Sequence, residues 1–281
     1  MEYVSKSGDT DTIIDNIEML RKDYTHYYNS LSIDELEPCK VVICSYLHKN
    51  ELHEDILLLY SSNLIILKKL ISKVSKKIIQ YTDINYIISE GMPDPFCITI
   101  HYNLNEEEKL YFEPGKNDII NSLLFDLRRL VALKIEDDIG EIESNISLYD
   151  LEKDKYIGAT ITKDVLMKEQ SVICSIKQRT IYSHGWSILR KIISKTHYTV
   201  LCNDEIVIFL ERTNSKSQQN NIGDLIFIPI KALKCTSIEA TGKGMIMRYQ
   251  FSDSKYELFY ENEQTDDLLK IMSYINGKIA K

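Results

Sequence analysis

The stretch EDILLLYSSNLIILKK, Glu54 to Lys69, decides how the chain is read. Ile56 to Tyr60 and Leu64 to Leu67 form two apolar arms, and Ser61-Ser62-Asn63 separates them. Short apolar runs bounded by small polar residues predict two strands joined by a tight turn. A second copy lies toward the other end: HYTVLCNDEIVIFLER, His197 to Arg212, with Cys202-Asn203-Asp204 as its turn. The rest of the chain reads as flanks of these two hairpins.

A length of 281 residues leaves room for one large domain or two ordinary ones. The 44% hydrophobic and 27% charged content belongs to the soluble globular class. The net charge of -8 speaks against a dedicated nucleic-acid-binding protein, which carries a basic excess. No apolar run reaches the ~20 residues of a membrane-spanning helix. The start, MEYVSKSGDTDTIID, lacks the basic and apolar regions of a signal peptide. A cytoplasmic location is the expectation. The six cysteines fit it. Cys44, Cys97, Cys174 and Cys202 sit in apolar strand-like runs, Cys39 and Cys235 flank such runs, and none forms a CxxC pair. They are expected to be reduced thiols rather than zinc ligands or a disulfide framework.

Taken in order, Thr10 to Tyr28 reads as a helix, with Ile13, Ile14, Ile17, Leu20 and Tyr24 near helical spacing and an acidic opposite side. Residues 1–38 form an N-terminal helical segment on this reading. From Lys40 the text is strand-like: KVVICSYLHK, the hairpin, KKIIQYTDINYIIS, FCITIHYN and KLYFEP, punctuated by Gly91-Met92-Pro93 and by Asn105 to Glu108. The period then changes to helical over Ile119, Ile120, Leu123, Leu124, Leu127, Leu130 and Val131. Seven short strands and one amphipathic helix make up residues 39–133. Residues 134–169 are acidic and broken by Gly140 and Gly158, as a connector would be.

The pattern then returns over residues 170–281. Val172 to Ser175 repeats the letters of Val42 to Ser45, and the twin hairpin follows. LIFIPIKALKCTSIEATG answers KIIQYTDINYIISEG, GMIMRYQF answers FCITIHYN, KYELFYE answers KLYFEP, and TDDLLKIMSYI answers NDIINSLLFDL. The blocks keep one order while their offset drifts from roughly 130 to 149 residues, which two insertions absorb. A period this long denotes a domain duplication, not a solenoid. The insertions are Arg179 to Lys195 and Thr213 to Gly223.

Seven strands followed by a helix is the order of the pleckstrin-homology superfold. LLLYSSNLIILK, then the step Tyr81-Thr82-Asp83-Ile84, then IINSLLFDLRRL resembles PH-like and GRAM-like domains. The second repeat has Pro229-Ile230-Lys231-Ala232-Leu233 at that step and lacks its Asp. The resemblance implies two seven-stranded barrels, each closed by a C-terminal helix. The faces Ile119/Leu123/Leu127/Leu130 and Leu268/Leu269/Met272/Ile275 are suited to plugging them. It also implies a non-catalytic binding module, whose ligand the fold does not choose.

The motif search agrees with that class. GxxxxGK[ST], HExxH and GxSxG are missing, and the six histidines show no ligand spacing. No cofactor or metal is expected. Two basic clusters stand out. Lys68, Lys69, Lys73, Lys76 and Lys77 flank the turn after the first hairpin. Lys177, Arg179, Arg190, Lys191 and Lys195 surround the insertion that carries Trp186. In PH domains that bind phosphoinositides the loop between strands one and two is basic, and Lys177-x-Arg179 falls at a similar place. Clustered Lys and Arg hold phosphate by charge-assisted hydrogen bonds, and tryptophan suits a lipid interface. The competing reading is of solvated loop charges, with Trp186 packed on the barrel. Two functions follow: an adaptor for protein partners, or a peripheral protein on anionic membranes.

Overall fold

The computed structural model describes residues 12–14, 17, 24–32, 37–48, 51–69, 73–92, 95–113, 115–132, 160–167, 170–183, 191–212 and 223–280. It is mainly β, with helices at the flanks.

The first hairpin is β3 (Glu51–Leu59) and β4 (Asn63–Lys69). With β1 (Thr12–Ile14), β2 (Lys40–His48) and β5 (Val74–Gln80) it forms a five-stranded antiparallel sheet in the order β1-β2-β3-β4-β5. Its arms are apolar throughout because both faces are buried. Leu57, Leu59, Leu64 and Ile66 enter the large core, and Ile56, Leu58, Ile65 and Leu67 enter a second, outer core. A strand covered on both faces cannot show polar alternation. A one-turn 3-10 helix, Tyr81–Asp83, then leads into β6 (Ile84–Met92), β7 (Cys97–Tyr102) and β8 (Glu106–Tyr111). The β7–β8 turn holds Asn103 and Asn105 at φ of 46° and 61°, a conformation asparagine tolerates. Helix α2 (Asn117–Ala132) closes this half; helix α1 is the short Thr25–Tyr28 turn before it.

The second half repeats the order. A π-helical turn, Ile161–Val165, precedes β9 (Val172–Gln178), the added hairpin β10 (Ile181–Tyr182) and β11 (Ile192–Ser194), then β12 (His197–Cys202), β13 (Glu205–Glu211) and β14 (Gly223–Pro229). A 3-10 turn at Ile230–Ala232 leads to β15 (Cys235–Thr241), β16 (Gly244–Gln250), β17 (Lys255–Tyr260) and helix α3 (Thr265–Ile279). Equivalent backbone bonds mark the two halves. The Tyr81 N–H donates to the Ser62 carbonyl at 3.1 Å, and the Ile230 N–H donates to the Asp204 carbonyl at 2.9 Å. Each bond ties the 3-10 turn back to the hairpin of its own repeat.

The sheets do not stay within the repeats. β14 pairs antiparallel with β6, setting Phe227 opposite Ile87, Ile226 opposite Ile88 and Leu225 opposite Ser89. One seven-stranded sheet therefore runs β8-β7-β6-β14-β13-β12-β9, and β15-β16-β17 form a separate three-stranded sheet. Among the described residues every sheet is open. Strands β12 to β14 are buried on both faces for the same reason as the first hairpin. Tyr198, Val200, Val207, Phe209, Leu225 and Phe227 share the large core with α2, while Leu201, Ile206, Ile208, Ile226 and Ile228 face a core closed by Leu268, Ile271 and Ile275 of α3. Helix α2 of the first repeat thus covers the outer face of the second repeat's sheet.

Two expectations need correction. Thr12–Ile14 is not helical. Thr-Ile-Ile is a β-branched run, and it pairs with β2, Ile13 opposite Val42, where the sheet edge offers unpaired backbone groups. Among the described residues of that segment Ile17 and Thr25–Tyr28 are helical, and Tyr27 is buried against the outer core and donates its hydroxyl to the Glu54 carbonyl at 2.6 Å. The rest of 10–23, apart from Ile17, lies outside the described residues, as do 133–159 of the connector. In the closing helices the correction is narrow. The expected α2 face is buried or packed on the core, with Arg128 and Ala132 added to it, and in α3 Leu268 and Ile275 are buried and Met272 packs on the core while Leu269 is exposed.

Candidate functional site

The sequence-predicted basic cluster at the insertion is partly assembled. Lys177 lies on β9 with its ammonium 4.8 Å from the centre of the Tyr198 ring, a cation–π contact. Arg179, Lys191 and Lys195 are exposed around the β10–β11 hairpin. That hairpin is held by the Ser183 N–H donating to the Lys191 carbonyl at 2.8 Å and by the Lys191 N–H donating to Ser183 Oγ at 2.9 Å. Ser194 Oγ donates to the Phe259 carbonyl at 3.3 Å and anchors it on β17. Trp186 and Arg190 lie outside the described residues. Beneath the hairpin His197 is buried, its Nδ1 3.0 Å from the Lys195 carbonyl oxygen and its ring edge-on to Tyr260. Burial pulls its pKa down to about 4, against a weak opposing effect of that carbonyl, so it is neutral at pH 7.

The other basic cluster divides. Lys68 pairs with Glu108 and stands 3.4 Å from Asp55, and Lys77 bonds Glu108 at 2.7 Å. Asp55 lies directly opposite Lys68 in the β3–β4 ladder, and Glu108 arrives from β8. Burial alone would raise the Glu108 carboxyl, but the hydrogen bonds from Lys68 and Lys77 overcome it and hold it below the usual range. Asp55 is moved the other way, upward, by burial that Lys68 only partly offsets. Lys68 and Lys77 are therefore engaged with internal carboxylates. Lys69, Lys73 and Lys76 are exposed at the β4–β5 end of the sheet.

The most organised polar centre was not among the sequence candidates. Arg128 projects from α2 into the junction between the repeats and pairs with Glu205 at the start of β13; both are almost fully buried. Its Nη1 donates to the Val165 carbonyl at 2.7 Å, its Nη2 to Gln170 Oε1 at 3.3 Å, and its guanidinium lies 4.1 Å from the Phe227 ring centre. Gln170 Nε2 donates to Glu205 Oε1 at 2.7 Å and to Asp204 Oδ1 at 2.9 Å. Burial and the neighbouring Glu205 charge raise the Asp204 carboxyl. A bidentate, fully bonded pair of this kind fixes geometry. The signal was present in sequence: Arg128 falls on the apolar stripe of α2, where a charge needs a buried partner. The partner, seventy-seven residues on, was unreadable.

Three of the buried cysteines are not activated thiols. Burial pushes Cys97 up to about 11 and Cys174 up to about 12, and Cys202 moves in the same direction. Among the described residues no group of His, Cys, Asp and Glu gathers as a metal site, and no helix is long and apolar enough to cross a membrane. No protein-family model matches the chain, and no curated protein is significantly similar to it.

Proposed function

We propose that the protein is a non-catalytic scaffold of two PH-like units, each a seven-stranded barrel in plan, that binds protein partners. The observation that carries the reading is the junction. The repeats are not beads on a linker: β6 and β14 make them one sheet, and Arg128 with Glu205 locks helix α2 to the second hairpin. Such a junction holds surfaces of both repeats at fixed separation, which suits a scaffold. The polar centres described above serve the fold, as buried paired charges commonly do. Affinity capture from the source organism with the intact chain tests the reading. Saturable retention of a defined partner is expected, weakened in an Arg128→Met variant that loosens the junction. Retention no greater than on an unrelated β protein would overturn it.

The exposure of Arg179, Lys191 and Lys195 around one hairpin favours a second reading, a peripheral protein on anionic lipid. Co-sedimentation with phosphatidylserine vesicles at low salt, where screening is weakest, tests it. Binding lost on changing those three residues to Ala supports it, and equal binding to neutral vesicles excludes it.

A further inference from the structure

The sheet edges of this molecule are used unequally. The outer edge of β14, fourth strand of its meander, is taken by β6. β15 is terminal in its sheet, but Asn276 of α3 occupies it. The Asn276 Oδ1 accepts the Thr236 backbone N–H at 2.8 Å, and its Nδ2 donates to the Thr236 carbonyl at 3.0 Å. One side-chain amide thus stands where a neighbouring strand would bond. β5 is the counterpart of β14, and it is the terminal strand of the five-stranded sheet among the described residues.

The correspondence is residue by residue. An offset of 149 carries the 3-10 turn Tyr81–Asp83 onto Ile230–Ala232 and Val74–Gln80 onto Gly223–Pro229. Ile78 then stands where Phe227 meets Ile87, Lys76 where Leu225 meets Ser89, and Ser75 where Asp224 meets Glu90. The β14–β6 pair is a worked example, inside the same chain, of what this edge accepts. The β5 edge differs in chemistry. Ile78 is 49% exposed, and Lys69, Lys73 and Lys76 are exposed beside it.

We propose that the β5 edge binds an extended segment of a protein partner as an added antiparallel strand, with an apolar residue opposite Ile78 and acidic residues opposite Lys76 and toward Lys73. The inference rests on the protein-binding reading above and specifies its site and the partner's chemistry. Main-chain bonds would supply affinity, and the lysines would select the sequence. Two copies meeting β5 to β5 would set lysines near lysines, which disfavours self-pairing.

The probe is a labelled nine-residue peptide with the sequence of Ile84–Met92 carrying Ser89→Glu, offered to the full-length chain. Hydrogen exchange should show new protection at the amides of Val74, Lys76 and Ile78. Lys73→Glu with Lys76→Glu should weaken binding about three- to tenfold and switch preference to the Ser89→Lys peptide, as two exposed ion pairs allow. Lys76→Pro, which removes one outward N–H on the β14 correspondence, should abolish the protection; Pro is tolerated on an edge. A retained β4–β5 exchange pattern reports that each variant is folded. Protection appearing at β14 or β15 instead, unchanged binding in the charge-reversed variant, or concentration-dependent self-association through β5 would overturn the proposal. If capture of a partner persists while the peptide fails and the charge reversal has no effect, this inference falls alone. If no partner is captured saturably, the protein-binding reading falls with it.

Discussion

Arg128 shows how one residue sets the relation between two repeats. It sits at a helix position where the second repeat has Asn276, and each reaches a different target. Arg128 crosses to Glu205, and Asn276 covers the edge of β15. Removing one member of the buried pair leaves the other charged and unpartnered, so Arg128→Met or Glu205→Leu is expected to cost about 3–5 kcal/mol in urea unfolding. The double variant should recover most of that loss, because two apolar groups need no solvation. His197 predicts a pH effect. Its folded pKa is about 4 against 6.5 for the free side chain, so the unfolded chain takes up the proton first. The contribution of neutral His197 is complete above pH 6.5 and is lost as the pH falls toward 4, by about 3 kcal/mol at one pKa unit per 1.36 kcal/mol. His197→Phe should flatten that part of the stability profile, as chemical unfolding between pH 7 and 4.5 would reveal. Glu108, whose carboxyl is lowered, works with the same sign at a lower pH: its stabilisation is present above its unfolded value and lost as the pH falls through the folded one.

At the scale of elements, the strands follow from apolar runs, and their pairing depends on details the runs do not carry. Gly223 opens β14 where a Cβ would collide with the Leu210 carbonyl oxygen and lie 2.5 Å from Phe209 Cζ. Gly223→Ala should therefore strain the β13–β14 pair, destabilising by about 1–3 kcal/mol and broadening the amide signals of Phe209 to Glu211. Asn276→Ala should cost about 1–2 kcal/mol, since Thr236 is buried and loses partners for both backbone groups. It should also expose β15 to strand addition, visible as aggregation on light scattering. The two repeated hairpins and the closing helices were legible as patterns in sequence; the 3-10 turns and the β10–β11 hairpin were not. The exposure of Leu269 was not, since Leu268 and Leu269 read alike until packing buries one and exposes the other. Nor was β1, because three residues give too short a period to tell strand from helix.

At the scale of the whole molecule, each hairpin sheet carries a second cover. Helix α2 covers the outer face in the second repeat, and the N-terminal segment with Tyr27, Tyr24 and Leu31 covers it in the first. Deleting residues 1–38 should uncover Ile56, Leu58, Ile65 and Leu67. The expected outcome is a lower Tm and self-association, measured by calorimetry and by size-exclusion chromatography with light scattering. A monomer of unchanged Tm would mean that the segment is not needed as a cover.

The sequence by itself determined the mainly β character, the repeated order of the strands and closing helix shared by the two halves, and the apolar arms that need burial on two sides. These are properties of local period and composition, which neighbouring residues set. Only the tertiary structure decided that β6 pairs with β14, that Arg128 meets Glu205, and that Lys68 and Lys77 are engaged by Glu108. Each joins groups dozens of residues apart, and such contacts depend on register and on which edge remains available once the local pairs have formed. Whether a lysine is a ligand-binding charge or half of an internal ion pair is settled by that geometry, because a run of basic letters reads the same in either case.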